Sequence, residues 1–252
     1  MLGTALLCSG CNHVPVTRNP LATWVASPNR DERRPVLIVL HATEQGSVEE
    51  SLHTLRTANS NGPVSAHYLV GRNGSLYQLV PDELRAWHAG AGRWGTITNV
   101  NAASLGIEID NSGFAEYPEA QIATLLALLE DLCTRWSIPR TQVIAHSDLA
   151  PTRKVDPGPH FPWKRLYDAG FGIWPAADAP PAPPGFDPWR ALVQIGYPLA
   201  DRAKAVRAFH LRFRAMDTEV LDDEDLRILH ALTEPEGALP ALPVAPQPVA
   251  TQ

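Results

Sequence analysis

Apolar and polar positions along this chain change period several times, and the changes mark its elements. "PVLIVLH", residues 35–41, is an unbroken apolar run closing on a histidine, the pattern of a buried strand. "SVEESLHTLRTANSNG" shifts to helical spacing, with Ser47 and Glu50 placed as a capping box and a glycine near its end. In "SAHYLVGRNGSLYQLV" the pair Asn73-Gly74 separates two apolar runs, which predicts a hairpin. "ASLGIEIDN" reads as a further strand. The segment after Pro118 reads as a long helix with an apolar stripe of Ile122, Leu125, Leu126, Leu129, Leu132, Cys133 and Trp136. "TQVIAH" is another apolar run and ends on His146. Interleaved strands and helices predict an α/β fold, a mixed central sheet flanked by helices. Functional side chains then belong at strand ends and in the loops that follow them. His41, Glu108 and His146 lie on or just after such strands.

These elements span residues 34–174. "PAADAPPAPPGFDP" follows and predicts an extended, semi-rigid linker over residues 175–187. "PWRALVQIGY", "ADRAKAVRAFHLRF" and "DDEDLRILHAL" predict three short helices, a small all-α C-terminal domain over residues 188–235. The last of them has an acidic first turn suited to the helix dipole. The tail, residues 236–252, has no such pattern and is expected to be disordered. At the other end, "MLGTALLCSGCN" carries an apolar run too short to span a bilayer, ending in small residues before Cys11. It resembles the end of a signal peptide with a lipoprotein processing site, with Cys8 where leucine is usual. A frayed apolar terminus and a Cys-x-x-Cys metal pair are the alternatives. Residues 1–33 are accordingly read as a targeting segment and tether.

Composition removes some functions. A net charge of −6 and a pI near 5.8 leave no basic stripe for a nucleic-acid backbone. Three cysteines, Cys8, Cys11 and Cys133, are too few and too unevenly placed for a disulfide framework. Cys133 falls on the apolar helix stripe, where burial accounts for it. The same default applies to Trp87, Trp94 and Trp163, and to His67 on its strand.

The chemistry concentrates in "AHSDLAPTRKVDPGPHFPW", residues 145–163, where four prolines keep polar and charged residues off a regular helix. His41, His146 and Asp156 together supply two imidazoles and a carboxylate, the composition of a catalytic zinc site that leaves a fourth position open. Nine histidines can be combined into many such sets, and for an isolated histidine at a strand end a core or surface role is the commoner one. Ser147 is not framed by a Gly-x-Ser-x-Gly elbow, and no His-Glu-x-x-His helix occurs.

Taken in order, "LIVLHAT", "VSAHYLVGRNG", "AWHAG", "SLGIEIDN" and "AHSDLAPTRKVDPGPHFPW" resemble the zinc-dependent N-acetylmuramoyl-L-alanine amidases of the type-2 amidase family. That family shares its fold with the peptidoglycan recognition proteins, and the match runs from about residue 34 to 174. It is nearest to envelope lipoprotein amidases that carry a small C-terminal domain. The resemblance implies one Zn2+ per catalytic domain, ligated by His41, His146 and Asp156. It makes Glu108 the general base and Lys154 the cation that stabilises the amide oxygen. Some relatives use a tyrosine to position the water, and Ala66 stands at that place here. His88 and His160 are expected to border the substrate groove. The implied reaction is hydrolysis of the amide between N-acetylmuramic acid and L-alanine in peptidoglycan or its muropeptide fragments. The C-terminal helices resemble a peptidoglycan-binding module, with a bare helical spacer as the alternative. The implied setting is the periplasmic face of the outer membrane, through a lipid on Cys11, with the protein a monomer. A zinc-free recognition protein binding the same muropeptides is the rival reading.

Overall fold

The computed structural model describes residues 18–32 and 35–234. Its strands are β1 (Thr23–Trp24), β2 (Arg30–Glu32), β3 (Leu37–Ala42), β4 (Ala58–Asn59), β5 (Gly62–Pro63), β6 (Tyr68–Val70), β7 (Leu76–Gln78), β8 (Leu84–Ala86), β9 (Ser104–Ile109) and β10 (Val143–Ala145). Its α-helices are α1 (Val48–Thr54), α2 (Val100–Ala103), α3 (Glu119–Trp136), α4 (His146–Leu149), α5 (Trp163–Asp168), α6 (Pro188–Ile195), α7 (Arg202–Phe213) and α8 (Asp223–Thr233).

A six-stranded sheet in the order β1-β7-β6-β9-β3-β10 forms the centre. Strands β6, β9, β3 and β10 run parallel, and β7 turns back against β6 through the Asn73-Gly74 loop, so the sheet is mixed as the pattern predicts. Alternation along the strands divides the apolar residues between two faces. Ile38, Leu40, Tyr68, Val70, Leu105, Ile107 and Ile109 pack under α3, whose Ile122, Leu125, Leu129 and Leu132 form the facing stripe. Gln121, buried in the first turn of α3, donates to the carbonyls of Val70 and Asp110 and pins the helix to the ends of β6 and β9. The helix stops at Ser137, which adopts a left-handed conformation at φ 52° and returns its N–H to the Cys133 carbonyl.

The opposite face carries Leu37, Val39 and Ile144, and here the linker does not hold the C-terminal helices away from the sheet. Leu192, Phe209, Phe213, Ile228 and Leu229 from α6, α7 and α8 join those strand residues in a single apolar cluster. The linker is itself fastened at its end, where the Phe186 ring meets His230 edge-on at 5.5 Å. The three helices form where the sequence places them, but as a layer of one body with the sheet.

Three other expectations change. The structured chain begins before residue 34: β1 pairs with β7, and β2 pairs with β8 in a separate two-stranded ribbon. Helix α1 ends at Thr54, short of the predicted stretch, and residues 58–63 form a small β4–β5 hairpin. The capping box is displaced by one residue: Ser47 accepts from the Glu50 N–H, but the Glu50 carboxylate reaches back to the Gly46 N–H. Cys11 and the tail from residue 236 lie outside the described residues.

The shared core yields a direct expectation. Phe209 is fully buried in it, so Phe209→Ala should cost about 3–5 kcal/mol, in the range for aromatic truncation in a core. Sheet and C-terminal helices should still lose structure in one transition, by calorimetry and by near- and far-UV circular dichroism together. Two resolved transitions would contradict a common core.

Candidate metal centre

The sheet register assembles the site. His41 lies directly opposite Glu108 across β3 and β9, and Leu40 lies opposite Ala145, so His146 follows at the same level on the neighbouring chain. On β3, His41 falls on the face of Leu37 and Val39; on β9, Glu108 falls on the face of Ser104 and Gly106. The apolar C-terminal layer covers the lower part of that face. Its upper part, at the C-terminal strand ends, opens into a cleft of about 390 Å³ lined by His41, Glu44, Trp87, Glu108, His146, Lys154 and Asp156, among others.

Asp156 is returned to the strand ends by an irregular loop. The turn α4 starts at His146, and the Ser147 N–H donates to the Asp156 carbonyl at 3.0 Å, tying the residues around the two donors together. Beyond Asp156 the Tyr117 hydroxyl holds the Pro157 carbonyl at 2.7 Å. Gly158, at φ 92°, packs so close to Gly113 that a Cβ would stand 2.0 Å from the Gly113 carbonyl oxygen.

Within this frame three side-chain atoms converge. His41 Nδ1 and His146 Nδ1 are 2.9 Å apart, and Asp156 Oδ2 is 3.3 Å from the first and 3.1 Å from the second. These three side chains form a metal-competent group, each buried. A tetrahedral ion bound by N and O donors at roughly 2.0–2.2 Å needs them about 3.3–3.6 Å apart, so the triad fits a zinc-sized ion after the donors part by a few tenths of an ångström.

The outer ring nitrogens fix which atoms face inward. His146 Nε2 donates to the Ala89 carbonyl at 3.0 Å. His41 Nε2 lies 3.0 Å from His88 Nδ1, and His88 Nε2 lies 3.1 Å from Ser104 Oγ, whose proton goes to the Val100 carbonyl at 2.6 Å. Followed back from Val100 with the His88 ring neutral, Ser104 accepts from His88, and His88 accepts from His41. In a neutral ring each of these outer contacts leaves Nδ1 as the unprotonated atom facing Asp156, the form that metal binding requires. His88, expected at the substrate groove, lines the cleft but also stands behind His41 as its acceptor. Asn101 Oδ1 anchors its backbone by accepting from the His88 and Ala89 N–H groups.

Gly106 completes this support. A Cβ there would stand 2.3 Å from the His88 ring, so the ring occupies space that only glycine leaves open. Ser104, Gly106 and Glu108 thus serve in succession along one face of β9. The sequence reading missed Ser104, Gly106 and Asn101. A row of small and polar residues at period two within an apolar strand was the available signal.

Burial, then the neighbouring His146, depresses the His41 pKa to about 4, so its ring is neutral near pH 7. Burial alone would raise Asp156, but His146 and His41 overcome it and hold the carboxyl well below the usual range. Glu108 is pushed up to about 8, chiefly by burial and then by Asp156, with Lys154 opposing. A divalent ion at the triad would pull Glu108 back down. Glu108 Oε2 and Asp156 Oδ1 are buried with no hydrogen-bond partner among the described residues. His160 lies apart: it is exposed and meets Glu116 at 2.9 Å, outside the cleft lining. Ala66 is buried in a small apolar cluster and brings no hydroxyl to the cleft.

Residues 31–159 match the N-acetylmuramoyl-L-alanine amidase family. The chain is 35% identical to N-acetylmuramoyl-L-alanine amidase AmiD of Escherichia coli K12, over 80% of this chain and 83% of that protein. The structure of AmiD from E. coli with the substrate anhydro-N-acetylmuramic acid-L-Ala-D-gamma-Glu-L-Lys superposes with a TM-score of 0.71 at 34% identity, covering 80% of this chain and 89% of that one. That of AmpDH3 from Pseudomonas aeruginosa with anhydromuramic pentapeptide gives 0.69 at 32% identity, covering 86% and 97%.

Support of the donor atoms is testable without a substrate. His41→Ala removes a donor and should abolish stoichiometric zinc binding. His88→Phe keeps a ring but no acceptor for His41, and Gly106→Ala displaces that ring. Each should weaken zinc by about 10–100-fold, the usual effect of losing an outer partner. Chelator competition reads this directly, and unchanged affinity in His88→Phe would refute the supporting role.

Proposed function

The chain belongs to the N-acetylmuramoyl-L-alanine amidase family, and from that membership we propose that its cleft cuts the muramyl-alanine bond of muropeptides with zinc held by His41, His146 and Asp156. The observation that carries the reading is the triad of two imidazole Nδ1 atoms and a carboxylate oxygen, 2.9–3.3 Å apart, with Glu108 and Lys154 in the same cleft. Zinc bound there supplies a Lewis acid for the scissile carbonyl and lowers the pKa of water toward about 7.

The protein's own groups do the rest. Glu108 is a carboxylate on the cleft floor without a competing hydrogen bond at Oε2, free to take a proton from the attacking water. As the carbonyl carbon becomes tetrahedral, negative charge grows on its oxygen, and the Lys154 ammonium stabilises that charge more than it stabilises the planar amide. Glu108 then returns its proton to the departing alanine nitrogen. The products are the lactyl carboxylate of muramic acid and a peptide with a free N-terminal alanine, and the atoms added are those of one water.

Incubating the holoenzyme with muramyl and anhydromuramyl peptides, followed by mass analysis, tests the reaction. The free stem peptide and the peptide-free sugar are expected. Cleavage within the peptide, or binding without cleavage as in a recognition protein, would overturn the reading. Glu108→Gln keeps the size of the side chain but cannot act as a base. Its turnover should fall by about 10²–10⁴-fold with zinc retained and KM little changed. Loss of zinc along with activity would place Glu108 among the ligands instead.

The setting is part of the proposal. "LLCSGC" supports processing and lipidation at Cys11, which would place the cleft on the periplasmic face of the outer membrane, where a monomer meets peptidoglycan fragments. Among the described residues no helix is long and apolar enough to cross a membrane. Cys11→Ser should move the protein from the membrane fraction to the soluble periplasm without changing turnover of soluble muropeptides. Wild-type protein recovered unmodified would refute the anchor.

A further inference from the structure

Asp148, two residues after His146, is fully buried. Its Oδ2 accepts from the Ala145 N–H at 2.9 Å, closing α4 at the residue before His146. The same oxygen accepts from Arg212 Nη1 at 2.5 Å, and Oδ1 accepts from the Tyr197 hydroxyl at 2.7 Å. Both partners belong to the C-terminal layer, Arg212 to α7 and Tyr197 to the turn after α6. Arg212 is itself only 3% exposed, and its Nη2 donates to the Val143 carbonyl at the start of β10. Its guanidinium lies 4.4 Å from the centre of the Trp163 ring, in the helix that follows the Asp156 loop.

One buried cation thus grips β10, the turn that begins at His146 and the segment leaving Asp156. We propose that the C-terminal helices are a positioning element of the metal centre: Arg212, with Tyr197, fixes Asp148 and through it the placement of His146 Nδ1. This rests on the reading of the triad as a zinc site and extends it to residues far along the chain.

The charge pair is fully desolvated, and breaking it strands a buried carboxylate, so the arrangement has little freedom to loosen. The Tyr197 hydroxyl is held well above the ordinary phenol range by burial and by Asp148, so it keeps its proton and donates to Asp148 at neutral pH. Neither residue lines the cleft, so any effect on the metal is indirect, passing through Asp148 and, for Arg212, also through the Val143 carbonyl and the Trp163 ring.

The test uses the full-length protein and reads zinc affinity by chelator competition, alongside the visible spectrum of the cobalt-substituted form. Arg212→Met should weaken zinc by about 10–100-fold and alter the cobalt spectrum, with turnover recovering at high zinc. Arg212→Lys, which keeps the charge, should recover part of the affinity. Tyr197→Phe, a milder change in case Arg212→Met does not fold, should weaken zinc roughly fivefold, the effect of one net hydrogen bond. Ile228→Ala, in the same helical layer but outside the Asp148 network, serves as the control for general destabilisation. It should lower the melting temperature and leave zinc affinity unchanged. Wild-type affinity in folded Arg212→Met and Tyr197→Phe, or an equal loss in Ile228→Ala, would overturn the proposal. If wild-type protein bound no zinc, the metal reading beneath it would fail instead.

Discussion

Two imidazole nitrogens and a carboxylate oxygen face one another in a buried cleft at 2.9–3.3 Å. Without a cation or a shared proton between them, three such lone pairs facing one another would cost free energy. The fold must hold all three against their tendency to separate or to protonate. Burial, first of all, keeps His41 neutral, while the two histidines keep Asp156 ionised. The carbonyls of Ala89 and Val100, the second through Ser104 and His88, fix which nitrogen of each ring points inward.

The sheet supplies the rigidity for this. Three neighbouring parallel strands, β9, β3 and β10, end at one level, and each brings a functional side chain at or just past its last residues. Such strands cannot shift singly: a slip of one residue would turn His41 or Glu108 into the opposite apolar core. The face they share has two uses along its length. Near the strand starts it binds the C-terminal helices through Leu37, Val39 and Ile144, and near the strand ends it opens as the cleft. The helices therefore seal the sheet directly beneath the chemistry, and Arg212 carries their influence up to the His146 turn.

Much of this was written locally. The buried run "PVLIVLH", the Asn73-Gly74 hairpin and the stripe of α3 announce themselves because strand alternation, turn chemistry and helical spacing are local in origin. The ordered motifs around His41, Glu108, His146, Lys154 and Asp156 identify the family, and with it a reaction class, without coordinates. The pattern also marks the three C-terminal helices, whose capping aspartates Asp187, Asp201 and Asp222 sit where they begin.

What sequence could not decide is how distant pieces meet. A proline- and alanine-rich stretch looks the same whether the helices beyond it float or dock, because docking depends on whether Leu192 and Phe209 find a matching apolar face. His88 looks like a groove residue until Gly106, on another strand, is seen to leave room for its ring. Arg212 and Asp148, separated by 64 positions, look like a surface cation and a loop acid until both are buried against each other. Local pattern thus determined the elements and the family, and with the family which residues to propose as metal donors, since each follows from neighbouring side chains or an ordered motif. Tertiary structure alone decided their tautomers, their outer supports and the joining of the C-terminal layer to the site, because each of these is a contact between segments that only the folded chain brings together.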